Sequence, residues 1–325
     1  MTEAAATSPT GAAGAVVTGP AAAVAAGGAA VDPNTPRTAC PVCASATEPL
    51  ATLPGKVVRR QFELRHCPTC RLSFVANPCT DYARVYDEAY YRGRGADPMV
   101  DYVFEMEYPE RTVRQYEWRG IVAAVRSMAQ LGPQTRWLDY GCGNGGLVRY
   151  LRDHAGVAAA GYDVGWITSR ARESGLPILS DSEVQAAAGT FDVVTAIEVL
   201  EHIADPLDTL RRIRALLKPG GLFFYTTGNA EPFRGRLTEW GYVRPDIHIS
   251  FFEPATLERA LRATGFRPEF RGFTPGFTDI IRFKALKNLG VRKRAAWQIP
   301  LPWGAAARLL DRRLRISAHP VGWAE

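Results

Sequence analysis

No run of about 18 apolar residues occurs anywhere in the 325-residue chain, which excludes an ordinary membrane-spanning helix. The first 30 residues, rich in Ala and Gly, open with Glu3 and lack the basic start and long apolar centre of a secretion signal, so the expected location is cytoplasmic. Residues 1–36 also have almost no large apolar side chains with which to offset the entropy of ordering, and a disordered tail is expected there. Histidine is scarce, with five residues in all, so candidates for a base working near neutral pH are few. The six cysteines do not form a disulfide framework, because four of them fall into two C-x-x-C pairs. What the chain does have is 46% hydrophobic and 22% charged residues, a globular balance, and length for about two domains.

The formal charge of +6 is unevenly spread: residues 276–325 hold ten Lys or Arg against Asp279, Asp311 and Glu325. Such a segment fits an anionic substrate, RNA, a lipid surface, or simply a solvated face. Five regions are expected. They are the tail at 1–36, a cysteine-bearing module at 37–80, a helical cover at 81–134, a main domain at 135–275 and a basic helical extension at 276–325. In the cover, Tyr82, Tyr86, Tyr90 and Tyr91 favour one helical side, and the helical pattern from Tyr102 to Met128 is interrupted by Pro109. In the main domain short β-rich runs alternate with helical ones: Trp137-Leu138, Val157 to Tyr162, Pro177 to Leu179, Phe191 to Ile197 and Leu222 to Thr227 as strands, with Asp205 to Lys218 among the helices. That alternation predicts an α/β fold with a parallel sheet covered on both faces. Phe266 to Phe273 is expected to return as a last strand.

Trp137-Leu138-Asp139-Tyr140-Gly141-Cys142-Gly143-Asn144-Gly145 reads as a strand entering a glycine-rich turn that opens a helix. Bare backbone there lets a ligand approach closely, at the strand ends where ligands of doubly wound sheets bind. A tight strand-to-helix turn is the plain alternative. Asp163, closing the next strand, stands where a ribose diol needs a bidentate acceptor. Asp139 lies within reach of a cationic amine, and an anion beside the loop would repel a pyrophosphate. The residues by themselves therefore reach a ligand with adenosine at one end and a positive amino acid at the other.

With Phe191-Asp192-Val193-Val194-Thr195-Ala196-Ile197-Glu198-Val199-Leu200-Glu201-His202-Ile203 and Leu217-Lys218-Pro219-Gly220-Gly221-Leu222, these motifs resemble a class I S-adenosylmethionine-dependent methyltransferase over about residues 110–275. The resemblance implies a Rossmann-like seven-stranded sheet whose last strand is antiparallel. It also implies a cofactor, S-adenosyl-L-methionine, with Gly141 and Gly143 along its methionine part, Asp163 on the ribose, Asp181 or Ser182 beside the adenine and Glu198 near the sulfonium.

Cys40-Pro-Val-Cys43 and Cys67-Pro-Thr-Cys70, separated by 23 residues, can bring four thiolates to one tetrahedral ion. A closed four-sulfur shell makes the expected zinc structural; redox pairs or reduced thiols are the alternatives. Cys79 and Cys142 fall outside the cluster. Together with Asn77-Pro78 and Tyr86-Asp87-Glu88-Ala89-Tyr90-Tyr91, the pairs resemble the N-terminal zinc-ribbon module of bacterial sugar and natural-product methyltransferases, over about residues 38–95.

Methyl transfer to a hydroxyl or an acidic carbon needs a base. His202, at the carboxyl edge after the fourth strand, and His248, before a helix on the same side, are the candidates. The plain alternatives are a loop tie for His202 and a cap or packed imidazole for His248; His66, His154 and His319 look incidental. Tyr225 and Tyr242 are candidate acceptor-binding groups. Glu198-x-x-Glu201-His202 also resembles the metal-binding pattern of some O-methyltransferases, including quinone-biosynthesis and small-RNA enzymes. With His248 as a further ligand it would suit magnesium or manganese. The leading expectation is a methyltransferase for a small-molecule acceptor such as a sugar or nucleotide-sugar. An RNA methyltransferase and a catalytically silent cofactor-binding protein are the alternatives. An Asn-Pro-Pro-Tyr type motif is lacking, which argues against the first alternative, and the intact acidic and glycine positions argue against the second. Trp297, Pro300, Pro302 and Trp303 interrupt the basic extension, which is read as a lid, a dimer contact or a peripheral membrane contact; oligomeric state is left open.

Overall fold

A computed structural model of the chain describes residues 36–79, 81–293 and 301–325. The expected tail lies outside the described residues except for Pro36, as do Trp297 and Pro300.

In chain order the first elements are β1 (Glu48–Pro54), β2 (Gln61–His66), β3 (Ser73–Val75), α1 (Tyr82–Val85), α2 (Glu88–Tyr91), α3 (Tyr102–Glu107) and α4 (Arg114–Arg126). The main domain continues with β4 (Arg136–Tyr140), α5 (Gly146–His154), β5 (Ala158–Tyr162), α6 (Ile167–Glu173), β6 (Ile178–Leu179), α7 (Asp181–Ala186), β7 (Phe191–Ile197), α8 (Pro206–Leu216) and β8 (Leu217–Thr226). After it come β9 (Ser250–Phe251), α9 (Pro254–Ala263), β10 (Phe266–Glu269), α10 (Pro275–Asn288), α11 (Trp303–Leu314) and β11 (Val321–Ala324).

Seven strands in the order β10-β11-β8-β7-β4-β5-β6 make the main sheet, with β4 to β8 parallel. Because successive side chains point to opposite faces, neighbouring residues of one strand feed two different cores. Leu138, Val194 and Phe223 pack with Leu210 and Ile213 of α8 and Leu257 and Leu261 of α9. Trp137, Val193 and Phe224 pack on the other face with Ile121 and Val125 of α4, Leu147 and Leu151 of α5 and Ile280 of α10. Burial on both sides explains why these strands read as continuous apolar runs.

Two expectations need correcting. Phe266–Glu269 is not the antiparallel strand; that strand is β11, which pairs antiparallel with both β8 and β10 and slots between them. Val321-Gly-Trp-Ala is too short to display an alternation, so the sheet's final member lay hidden in the basic extension. The helix expected to run to Lys218 ends at Leu216, and β8 already begins at Leu217, whose partner is Phe191. Pro219 and Gly220, the latter at φ 73°, are accommodated in the irregular start of that strand.

The basic extension is also drawn in by α10, which lies across α4 at two glycines. A Cβ on Gly120 would come within 2.6 Å of the Gly276 carbonyl oxygen, so only hydrogen permits the approach. Arg119 closes the crossing with Asp279 through two 2.7 Å bonds.

The cysteine module is an antiparallel sheet in the order β1-β2-β3-β9, whose fourth strand comes from the main domain. Asp246, nearly fully buried, accepts backbone N–H groups of Lys56, Val57 and Val58 at 2.8, 3.3 and 2.9 Å. Replacing it leaves three donors unsatisfied inside the junction. Asp246→Ala is expected to lower stability by about 2–3 kcal/mol, read as a shifted urea-unfolding midpoint; an unchanged midpoint would contradict this account of the junction.

Candidate active site

Where β4 gives way to α5, Gly141, Gly143 and Gly145 take φ values of 81°, 52° and 73°, a region that suits glycine. At Gly141 a Cβ would also meet Val199 Cγ2 at 2.5 Å. Asn144 fastens the turn: its Nδ2 donates to the Tyr102 carbonyl of α3 at 2.9 Å and its Oδ1 accepts from Gly146 N–H at 3.0 Å. The turn, the ends of β5, β7 and β8, and the cover helices enclose a cavity of about 830 Å³.

Asp139, Gly141, Gly143, Asp163, Glu198, His202 and His248 all line that cavity. Asp181 does not: it is exposed at the start of α7, where its Oδ1 accepts from the Tyr162 hydroxyl at 2.8 Å, and Ser182 beside it is exposed as well. Tyr242 reaches the cavity, whereas Tyr225 is buried between Phe223 and His319.

Asp163 accepts Gly143 N–H at 2.9 Å and Gly165 N–H at 2.7 Å, bridging the glycine turn to the following loop. Burial pushes its carboxyl up, opposed by those backbone donors. Asp139 accepts one bond, from Thr195 Oγ1 at 2.9 Å, and that hydroxyl in turn accepts from the Trp137 indole N–H at 3.0 Å. Burial pushes Asp139 up to about 7, helped by the charges of Asp163 and Glu117 and opposed by Thr195.

Glu198 caps β7 with φ at 54°, a left-handed conformation costly for a residue with a side chain. Its Oε1 accepts from Lys284 Nζ of α10 at 2.7 Å. Burial disfavours its charge, but Lys284 and Lys287 outweigh that and hold it down to about 2. Nothing in the sequence singles out Lys284 among the ten basic residues of its segment.

Past Glu198 lies a second cluster. Glu201, fully buried, accepts from the Tyr242 hydroxyl at 2.6 Å and from Thr227 Oγ1 at 2.7 Å. Burial pushes it up to about 8, with the Glu198 charge adding to the effect. His202 Nδ1 stands 2.9 Å from the Ile247 carbonyl and 2.9 Å from the Tyr86 hydroxyl; His248 Nδ1 stands 2.6 Å from the Tyr242 carbonyl. A carbonyl only accepts, so both Nδ1 atoms carry the proton and both Nε2 atoms are left bare. Burial lowers both imidazoles, His248 to about 3 with His202 beside it contributing. One ligand atom from each of Glu201, His202 and His248 lies within 4.8 Å of the others. Glu198 is not in this group, being held by Lys284, so the Glu-x-x-Glu-His pattern contributes only its second half.

The four cysteines converge as well. Cys40 and Cys70 sulfurs are 3.4 Å apart, Cys43 and Cys67 sulfurs 3.4 Å apart, and all four fall within 4.8 Å of one another. Each pair sits in a tight turn, with Ala44 N–H returning to the Cys40 carbonyl and Arg71 N–H to the Cys67 carbonyl, both at 2.9 Å. Cys79 and Cys142 are buried elsewhere.

Asp139 gives a pH prediction. Its folded-state value of about 7 lies above the ordinary 3.8, so the folded protein holds this proton more tightly than the unfolded chain does. The associated stability is complete below about pH 4 and disappears as pH rises through 7, a loss of up to about 4 kcal/mol. Asp139→Asn should flatten that stretch of the urea-unfolding profile; parallel profiles in variant and wild type would contradict the assignment.

Residues 111–269 match the family model for a methyltransferase domain. The ubiquinone biosynthesis O-methyltransferase of Methylococcus capsulatus is 37% identical over 187 residues, covering 51% of this chain and 78% of the relative. That of Cereibacter sphaeroides is 42% identical over 105 residues, 30% of this chain and 42% of the relative, so the chain spans less than half of that protein's length. Among solved structures, an S-adenosylmethionine-dependent methyltransferase from Mesorhizobium loti matches with a TM-score of 0.39 and 22% identity, over 52% of this chain and 92% of the other. With a relative matched across more than three quarters of its length and the glycine turn, acidic strand ends and seven-stranded sheet in place, the chain belongs to the class I S-adenosylmethionine-dependent methyltransferases.

Proposed function

We propose that the chain transfers a methyl group from S-adenosylmethionine to a small-molecule acceptor, a sugar, nucleotide-sugar or related hydroxylated metabolite. The observation that carries this reading is the pair of bare Nε2 atoms sharing one cavity with the glycine turn. The residues present fit the cofactor: a turn that side chains cannot enter, an inward carboxyl at Asp163 for the ribose, and Asp139 and Glu198 deeper in the same space. Asp181, tied to Tyr162, would reach an adenine only by turning away from that phenol. At about 830 Å³ the cavity is in the range of small-ligand sites.

The far half of the cavity suits a ring. Phe233, Trp240 and Tyr242 form a stack with centroids 4.6 Å apart at each step and interplanar angles of 9° and 19°. Such a wall offers broad apolar faces to a sugar or a planar ring, while Arg244, Lys287 and Asn229 supply polar contacts nearby. When bound, S-adenosylmethionine would supply a methyl carbon made electrophilic by its sulfonium, with the neutral thioether as the leaving group. This chain's residues hold the acceptor in line and remove its proton, which passes to a bare Nε2 of His202 or His248. The Ile247 and Tyr242 carbonyls keep each ring in the tautomer that can accept it. The name borne by the curated relatives favours oxygen as the methylated atom, with carbon the alternative.

The convergence of Glu201, His202 and His248 supports a second reading of the same cluster. Those three would hold a divalent cation such as magnesium or manganese, which would polarise the acceptor hydroxyl. The Nδ1–H groups of His202 and His248 are already anchored on carbonyls, the arrangement that fixes metal-binding imidazoles. In the cysteine module, four thiol sulfurs in two tight turns fit a structural zinc, with no position left for chemistry.

Calorimetric titration with S-adenosylhomocysteine tests the cofactor assignment, and silence would overturn it. His202→Asn and His248→Asn should retain that binding, and the one that is the base should lose about 100-fold or more in turnover with a panel of labelled-methyl acceptors. Full turnover in both variants would remove the proton-acceptor role. Activity after chelation separates the two readings of the cluster: with zinc retained by elemental analysis, loss of turnover restored by magnesium or manganese supports the cation, and undiminished turnover excludes it.

A further inference from the structure

Four large apolar side chains stand exposed at the end of α10 and along the segment that carries α11: Leu289 at 74%, Leu301 at 48%, Leu309 at 57% and Leu314 at 39%. Leu289 and Leu314 also line the cavity, together with Leu310 and Ile316, so this apolar surface forms the rim of its opening. One exposed leucine is ordinary, but several around a single opening mark a contact surface.

Among the residues of α11 only Ala307 is buried, so the helix lies on the surface. Ala305, Leu309, Arg312 and Arg313 follow at i, i+4, i+7 and i+8, share the face turned away from Ala307 and are all exposed. Asp311, the one acidic residue of the helix, is engaged elsewhere: it accepts Ser317 N–H at 2.7 Å and Ser317 Oγ at 2.6 Å, and Ser317 is buried. Arg315 beside them is held by Glu231, whereas no carboxylate of the described residues pairs with Arg312 or Arg313. The outward face therefore combines leucine with two cations and no anion.

That combination decides between occupants. A second copy of the chain meeting the same face across a two-fold axis would set Arg312 and Arg313 against their own like charges. A nucleic acid would satisfy the arginines through its phosphates but leave the leucines without an apolar partner. An anionic bilayer takes both, because leucines enter the boundary between headgroups and acyl chains while guanidiniums stay among the phosphates.

We propose that α11 and the end of α10 seat the rim of the cavity on an anionic lipid surface. No helix among the described residues is long and apolar enough to cross a bilayer, so the contact is peripheral. The opening then faces the lipid, and an acceptor carried there enters the cavity without crossing bulk water.

Flotation of the full chain with vesicles tests this, comparing phosphatidylcholine alone with a mixture containing about one third phosphatidylglycerol. Binding to the anionic vesicles should be at least about tenfold stronger, and raising the salt to about 1 M should shrink that preference by screening. Leu309→Ser should weaken binding to the anionic vesicles at least about threefold, and Arg312→Glu combined with Arg313→Glu should abolish the preference over neutral lipid. Leu50→Ser, the same change at an exposed leucine of β1, should float as wild type does. All these side chains are exposed, and each variant should melt as cooperatively as wild type. Absence of flotation, equal flotation on both lipids, or a loss in Leu50→Ser as large as that in Leu309→Ser overturns the proposal. Absence of flotation together with a dimer that Leu309→Ser dissolves assigns the face to a second copy instead. Flotation requires neither cofactor nor acceptor, so its failure leaves the methyl-transfer reading standing, and silence toward S-adenosylhomocysteine leaves this surface standing.

Discussion

The segment from Tyr242 to Glu253 contributes Tyr242, Arg244 and His248 to the cavity wall, and its placement depends on pairing with a module more than 160 residues earlier in the chain. Asp246 collects three N–H groups from residues 56–58, Val75 N–H donates to the Ile249 carbonyl, and Ser250 and Phe251 pair with β3. From the other side Ile249 N–H reaches the Glu201 carbonyl and Ser250 Oγ the Ile203 carbonyl, both within 2.8 Å. His248 therefore sits between two anchored neighbours, Asp246 and Ile249. Thr256 Oγ1, donating to the Cys70 carbonyl at 2.6 Å, extends the same coupling to α9. The module is thereby joined to the cavity wall through backbone and side-chain bonds on both sides of His248.

Inside the cavity, each carboxyl's charge follows its partners. Asp139 and Glu201 are each buried with hydroxyl donors for partners and tend to keep their protons, while Glu198 between them is ionised by a lysine from a helix far along the chain. Three carboxyls lining one cavity are thus separated into two that favour the protonated form and one that is charged. The strained backbone at Glu198 belongs to this scheme. A left-handed residue at the end of a parallel strand turns its carboxylate toward α10 instead of along the strand, and the Gly120–Gly276 crossing brings Lys284 near enough to meet it.

What was legible in the sequence is what local chemistry makes unavoidable. The glycine turn, with three positive φ values, admits few other residue types, and two C-x-x-C pairs at a wide spacing have few other uses. The parallel strands declare themselves because both faces are buried. Features made by long-range packing were not legible. Strand β11 has four residues and takes its place only because β8 and β10 leave a gap between them. Lys284 looks like any basic residue of an amphipathic helix until the helix crossing is known. Tyr86 was legible as part of a tyrosine pattern, but its hydroxyl lies against His202, 116 residues away. Asp181 stands at the start of α7, outside the lining of the cavity, with its Oδ1 accepting from the Tyr162 hydroxyl.

The basic extension brings composition and structure together. Seen as sequence, ten cationic residues in the last 50 suggest a surface for RNA, but much of that charge is engaged within the fold. Lys284 is bound to Glu198, Arg282 lies 3.8 Å from the Tyr116 ring centroid and 5.1 Å from that of Trp303, and Arg292 donates to the Pro98 carbonyl. Lys293 stands over Phe104, Arg308 over Phe273, and Arg315 pairs with Glu231 at 2.6 Å. A phosphate-binding face needs cations free to release their counterions onto a polyanion, and these six each have a ring, carbonyl or carboxylate partner within the fold. The excess charge of this segment is therefore better explained as the means by which a late, weakly patterned stretch of chain is fastened across the site, and that explanation favours a small acceptor enclosed by the fold over a polymer lying along its surface.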